Sequence, residues 1–184
     1  MKSTILALGL LAVAASAQAA TVAGVTLPDS QKVDEQTLVL NGAALRSKLI
    51  FKVYVGGLYL PAKQGVAATI LSTDETRRME MHFLRSVSAG QVCDGWKEGL
   101  AANVPGADAA LKGQFDQLCG MMADVKDGSK IVLTYRPGTG TSIEIDGKGV
   151  GALEGKPFAD ALLSTWIGPK PGPGEDFKKA LLGV

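Results

Sequence analysis

Apolar and polar positions alternate most regularly between Leu45 and Leu60, LRSKLIFKVYVGGLYL, and that period of two predicts a single long β-strand. From Lys48 to Val55 the pattern sets Leu49, Phe51, Val53 and Val55 on one face, with Lys48, Ile50, Lys52 and Tyr54 on the other. Gly56 and Gly57 interrupt it, which predicts a bulge or a close backbone approach. The alternation recurs from Arg77 to Phe83, with Met79, Met81 and Phe83 on a buried side and Arg78, Glu80 and His82 on a solvated one. Val22 to Leu27 is a short apolar run stopped by Pro28-Asp29-Ser30. Further strands are expected over Thr37 to Leu40, ended by the turn pair Asn41-Gly42, and over Lys130 to Tyr135, Thr141 to Ile145 and Lys148 to Leu153.

At Ser88 the period changes. Val92, Trp96, Leu100 and Val104 recur every four residues and predict an amphipathic helix to about Asn103. Ser88 and Gln91 have the spacing of a capping box at its start, and Pro105-Gly106 closes it. A second helix is expected from about Ala107 to Val125, on the stripe Leu111, Phe115, Leu118 and Met122. Val66 to Leu71 reads as a short helix. Pro157 suits the first turn of another, which runs to Trp166, and Asp176 to Leu182 is a terminal amphipathic segment. Strands, a helical hairpin, more strands and closing helices predict one α+β domain, an antiparallel sheet covered on one face by helices.

The N-terminus changes where that domain is expected to work. Met1-Lys2, the apolar run from Ile5 to Ala15 and the small residues Ala15-Ser16-Ala17-Gln18-Ala19-Ala20 are the three parts of a secretory signal peptide. Residues 1–19 are thus expected to be a signal peptide and residues 20–184 the mature domain, periplasmic or secreted. The apolar run falls short of the about 20 residues of a membrane span, and no later stretch is long and apolar enough. The chain has 19 Lys and Arg against 18 Asp and Glu, and Lys2 carries the signal's only charge. So balanced a domain lacks the basic footprint of nucleic-acid binding.

Two cysteines, Cys93 and Cys119, fall on the two arms of the helical hairpin. In an exported protein an even count favours a disulfide, and a buried pair of thiols is the alternative. One histidine and no C-x-x-C provide too few ligands for a zinc site, so neither metal nor cofactor is expected.

Most catalytic readings fail on the residues. The glycines of Pro137-Gly138-Thr139-Gly140-Thr141 lack the Gly-Lys-Ser/Thr of a phosphate loop and read as a hairpin turn. His82 beside Glu80 reads as part of a polar strand face, and Trp96 and Trp166 as core residues on helical stripes. No carboxylate pair has a glycosidase's spacing. One constellation remains: Arg46, Lys48, Lys52 and Tyr54 share a parity on the long strand. A guanidinium beside apolar neighbours suits a carboxylate or enolate head with an apolar tail. An exposed sheet face, where Lys and Tyr are ordinary, is the competing reading.

This strand carries a resemblance. Gly42-Ala43-Ala44-Leu45-Arg46 and Phe51-Lys52-Val53-Tyr54-Val55-Gly56-Gly57-Leu58-Tyr59-Leu60 resemble the signature region of the chalcone isomerase-like family, in its bacterial exported branch. The likeness continues through Phe83-Leu84-Arg85, Trp96-Lys97-Glu98-Gly99-Leu100, Asp146-Gly147-Lys148, Phe158-Ala159-Asp160-Ala161-Leu162-Leu163 and Trp166-Ile167-Gly168. The resemblance implies an open-faced β-sandwich, a large antiparallel sheet packed by helices. It also implies an arginine that assists ring closure in the plant isomerases and holds the lipid carboxylate in fatty-acid-binding members. Arg46 takes that place, given a shorter turn before the strand. Tyr54 stands where the plant enzymes carry a catalytic threonine, and Gln91 stands near their asparagine. Their tyrosine before the first helix has no counterpart in Phe83-Leu84-Arg85-Ser86.

Three functions follow as expectations: a non-catalytic binder of a fatty acid or similar apolar carboxylate, an isomerase (intramolecular lyase) for a chalcone-like phenolic substrate, or an assembly partner without a small ligand. The first is favoured, with Arg46, Tyr54, Lys52 and Gln91 as the ligand-binding set. Similarity of fold does not carry a reaction with it.

Overall fold

The long strand expected over Leu45 to Leu60 is a hairpin. In the computed structural model, which describes residues 19–184, its first part ends strand β4, Gln36–Lys48, and its second is β5, Phe51–Leu60. Residues 1–18, on which the signal-peptide expectation falls, lie outside the described residues. Lys48 pairs with Phe51, so Leu49 and Ile50 form a two-residue loop, with Leu49 at φ 55°. Sequence patterning misses this turn because two-residue loops ordinarily use Gly, Asn or Asp, and Leu49 keeps the period of two that runs on through Phe51, Val53 and Val55.

β4 begins earlier and runs further than expected. Asn41-Gly42 is not a turn but lies inside the strand. Asn41 is buried, and its side chain accepts from Gln64 N (2.7 Å) and donates to the carbonyl of Leu181 (2.8 Å). Its polarity serves the C-terminal helix, α5 (Glu175–Leu182), and not a turn. A Cβ on Gly42 would come within 2.0 Å of the Ala180 carbonyl oxygen, so α5 lies almost on the backbone of β4. Gly56 likewise leaves room for the Phe177 ring and Gly57 for the Leu27 side chain. This bears out the close approach. The register shifts of the β4–β5 pair fall elsewhere, at Leu40/Gly42 and Arg46/Ser47.

Val22 to Leu27 is two strands, β1 (Ala20–Val22) and β2 (Val25–Leu27), and β3 (Ser30–Val33) precedes β4. β6 (Arg77–Phe83), β7 (Lys130–Arg136), β8 (Gly140–Ile145) and β9 (Lys148–Leu153) match the expected ranges closely. β3 to β9 form a seven-stranded antiparallel sheet in chain order. α1 (Ala67–Ser72), α2 (Ala89–Asn103), α3 (Ala109–Gly120) and α4 (Lys156–Ile167), with α5, are the helices among the described residues. The Ser88–Gln91 capping box forms as expected. α3 stops five residues short of Val125, which instead bridges to Val87 in extended backbone.

The helices cover one face of the sheet around a core that includes Leu58, Met81, Phe83, Trp96, Phe158 and Trp166. The other face is not simply wet. The β1–β2 hairpin roofs part of it over Leu38, Leu40, Val55 and Tyr59. On this face Glu80 is 1% exposed, which corrects the solvated side expected for β6. Arg78 Nε donates to its carboxylate at 2.8 Å, and His82 Nε2 lies 2.9 Å from it. The two hydrogen bonds hold the Glu80 carboxyl below its ordinary value, although burial alone would raise it.

The expected Cys93–Cys119 disulfide is absent. α2 and α3 bring the two side chains together, but as free thiols in hydrogen-bond contact. Burial, followed by that contact, pushes Cys119 up to about 12, far from the thiolate that thiol–disulfide exchange requires.

Candidate functional site

Where β4 and β5 reach the open end of the sheet, α2 and the Lys170–Pro173 loop stand away from them and leave a cavity of about 630 Å³. Its size falls within the roughly 300–1,000 Å³ of small-molecule sites. Its deep wall is apolar, built by Met81, Phe83, Val92, Trp96 and Trp166. Arg46, Lys48, Arg85 and Lys170 bring positive charge to its lining, and Asp94 and Glu98, one turn apart on α2, bring negative charge to the helical side.

Arg46 and Tyr54 are direct partners across the β4–β5 ladder. Arg46 Nη1 donates to the carbonyl of Pro173 (3.0 Å), which anchors one arm of the guanidinium and leaves the fork's other donors for a ligand. Tyr54 is buried, and its hydroxyl accepts from Trp166 Nε1 at 2.9 Å. Burial pushes the phenol up to about 12; the Trp166 bond and the nearby Arg46 charge oppose this without cancelling it. At neutral pH the group is therefore a protonated phenol, able to donate a hydrogen bond and unable to serve as a base.

The structure brings three of the four expected ligand-binding residues to the cavity. Arg46, Tyr54 and Gln91 line it, and Lys52 does not. The reason is the register shift beside Arg46. Arg46 pairs with Tyr54 and Ser47 with Lys52, so Val53 is an extra residue that turns into the cavity. The parity that grouped Lys52 with Tyr54 breaks at this bulge. Lys48 and Phe51 do reach the cavity. The Gln91 side-chain oxygen accepts from the backbone N–H of Ser88 (3.1 Å), which fixes the side chain and leaves both amide N–H donors for a ligand.

Sequence reasoning missed the role of Trp166. Its place on an apolar helical stripe was evident, but not its bond to Tyr54, 112 positions away. It also missed Arg85, whose guanidinium lies 4.4 Å from the Phe51 ring centroid, and Lys170. Among the described residues no group of three or more His, Cys, Asp or Glu could hold a metal ion.

The sheet order and the helical cover agree with one comparison in particular. Residues 19–183 match the family described as chalcone isomerase-like. The chain belongs to that family. Among solved structures, a fatty-acid binding protein of Arabidopsis thaliana superposes with a TM-score of 0.70 at 17% identity, over 90% of this chain and 96% of the plant one. At that identity the likeness is one of fold, and this is a chalcone isomerase-like fold. No curated protein matches the chain. A shared fold does not by itself carry a function, which rests on the site.

Proposed function

We propose that this chalcone isomerase-like protein is a non-catalytic binder of a fatty acid or similar apolar carboxylate. The carrying observation is the cavity itself, an apolar wall that ends at a guanidinium paired across two strands with a protonated phenol. A carboxylate there would accept from the free donors of Arg46 and from the Tyr54 hydroxyl, and its alkyl chain would lie against Phe83, Trp96 and Trp166. The fatty-acid binding protein of the same fold supports this reading. A phenol held at about 12 and already bonded to Trp166 is no base at neutral pH, which supports binding over the alternative, an isomerase acting on a chalcone-like phenolic substrate.

The proposal includes export, on the strength of the charged start, apolar run and A-x-A sites of residues 1–19. N-terminal sequencing of secreted protein should then begin at Gln18, Ala20 or Thr21; a start at Met1 would refute export.

Calorimetric titration with a long-chain fatty acid tests the binding. Arg46→Ala should weaken it by about 1.5–3 kcal/mol, the range for hydrogen bonds to a charged group. Lys148→Ala, an exposed cation on β9, should leave it unchanged. Equal affinity in wild type and Arg46→Ala would show that the anchor is elsewhere. Enzyme-like turnover of a chalcone would replace the binding-protein reading with the isomerase.

A further inference from the structure

The β4–β5 hairpin tip exposes more apolar surface than a soluble loop requires. Leu49 is 91% exposed and Ile50 89%, side by side, and Phe51 beside them is 50% exposed. Leu49 moreover holds φ 55°, a conformation that disfavours a bulky branched side chain and suits Gly or Asn. A turn selected only to reverse the chain would carry those residues. Single exposed aliphatics are ordinary, but adjacent ones at a protruding tip in a strained backbone are not.

The surroundings have a definite charge. Between Leu45 and Val53 the hairpin has Arg46, Lys48 and Lys52 and no acidic residue. Arg85 lies against the inner side of the tip, over the Phe51 ring. Asp94 and Glu98 are on α2, across the cavity, and not on the hairpin. An apolar point ringed by cations matches the two layers of an anionic lipid surface, acyl chains below and phosphates above. Lys48, Leu49 and Phe51 also line the cavity, so whatever receives the tip lies at the cavity mouth.

We propose that the Leu49–Ile50 tip docks on an anionic lipid bilayer, with Leu49 and Ile50 in the acyl boundary and Lys48, Lys52 and Arg85 at the phosphates. This opens the cavity toward the membrane. The docking stands on the hairpin alone; that it passes a lipid between bilayer and cavity rests on the fatty-acid reading above.

Vesicle flotation tests it, with residues 20–184, which hold both cores and the whole sheet. Vesicles of phosphatidylcholine with about a third phosphatidylglycerol should carry the protein, pure phosphatidylcholine much less, and high salt should weaken the association. Leu49→Gly with Ile50→Ser keeps a good hairpin turn, because glycine adopts the positive φ freely. It should lower partitioning at least about tenfold, given the transfer free energy of two aliphatic side chains. Lys48→Glu with Lys52→Glu should lower it at least as much. Val66→Ser, which removes another exposed aliphatic, should leave it unchanged. Wild type that stays off anionic vesicles, or a Gly-Ser tip that floats like wild type, overturns the proposal. So does a dimer that the Gly-Ser tip dissociates and that never floats, since the tip then meets a second copy. Fatty-acid titration without vesicles separates the two ideas: binding without flotation refutes only the docking, and flotation without binding refutes only the ligand.

Discussion

Trp166 Nε1 donates to the hydroxyl of Tyr54 at 2.9 Å, and this bond ties α4 to β5 beneath the cavity. Both side chains are buried, so each depends on the other for its polar atom. Tyr54→Phe would leave the indole N–H unpaired and should destabilise the fold by about 1–3 kcal/mol. A urea denaturation midpoint at the wild-type value would show that the bond contributes nothing.

The three tyrosines should all ionise late. Burial is the largest cause in raising Tyr54, Tyr59 and Tyr135 from 10.0 to about 12 each. In the unfolded chain they lose protons first, so above about pH 10 the unfolded state binds fewer protons than the native one. Stability from this source is complete below pH 10 and is lost as pH rises toward 12. Absorbance titration of the phenolate should show no step near 10 before unfolding begins; an early step of one tyrosine or more would contradict the burial described for that side chain.

Gly42→Ala tests the seating of α5. The added methyl would need the space of the Ala180 carbonyl, 2.0 Å away, and backbone yields less readily than a side chain. Destabilisation of about 1–3 kcal/mol or more is expected, as for overpacked cores. The Pro173 carbonyl that anchors Arg46 sits just before α5, so fatty-acid affinity should fall as well. Faster amide exchange in α5 is the direct readout; an unchanged rate would show that the helix can shift without loss.

Glu80→Ala should be among the most damaging substitutions outside the cavity. It leaves Arg78 without its buried partner and His82 without its hydrogen bond, a loss of about 3–5 kcal/mol for one half of a buried pair. Because the folded carboxyl is held below its ordinary value, its contribution is present above the unfolded pKa and lost as pH falls through the folded one. Glu80→Gln should therefore flatten the acid side of the stability–pH curve. An acid limb identical to wild type would place the acid-sensitive group elsewhere.

Much of the architecture was legible because local chemistry states it. The alternation of Arg77 to Phe83, the capping box of Ser88 and Gln91 and the Pro157 helix start each depend on neighbours within a few residues. Those elements formed where expected. The Leu49–Ile50 turn was not legible, because its residues are poor turn formers and the apolar period runs through them. Asn41-Gly42 misled in the opposite sense. Both residues look like a turn, yet each serves a contact with α5, about 140 positions later.

For the site, the amino-acid sequence determined the candidates: an arginine and a tyrosine of one parity on what reads as a single long strand, and an apolar stripe on each of two helices. It could state parity along a strand but not the bulge beside Arg46, and that bulge removed Lys52 from the cavity and put Val53 in. Only the tertiary structure decided that Arg46 faces Tyr54, that Trp166 holds the phenol, and that Glu80 is buried with two partners. The physical reason is range. Periodicity, capping and turn chemistry act over a few bonds, whereas register, burial and hydrogen bonding between distant strands and helices are settled by how whole elements pack.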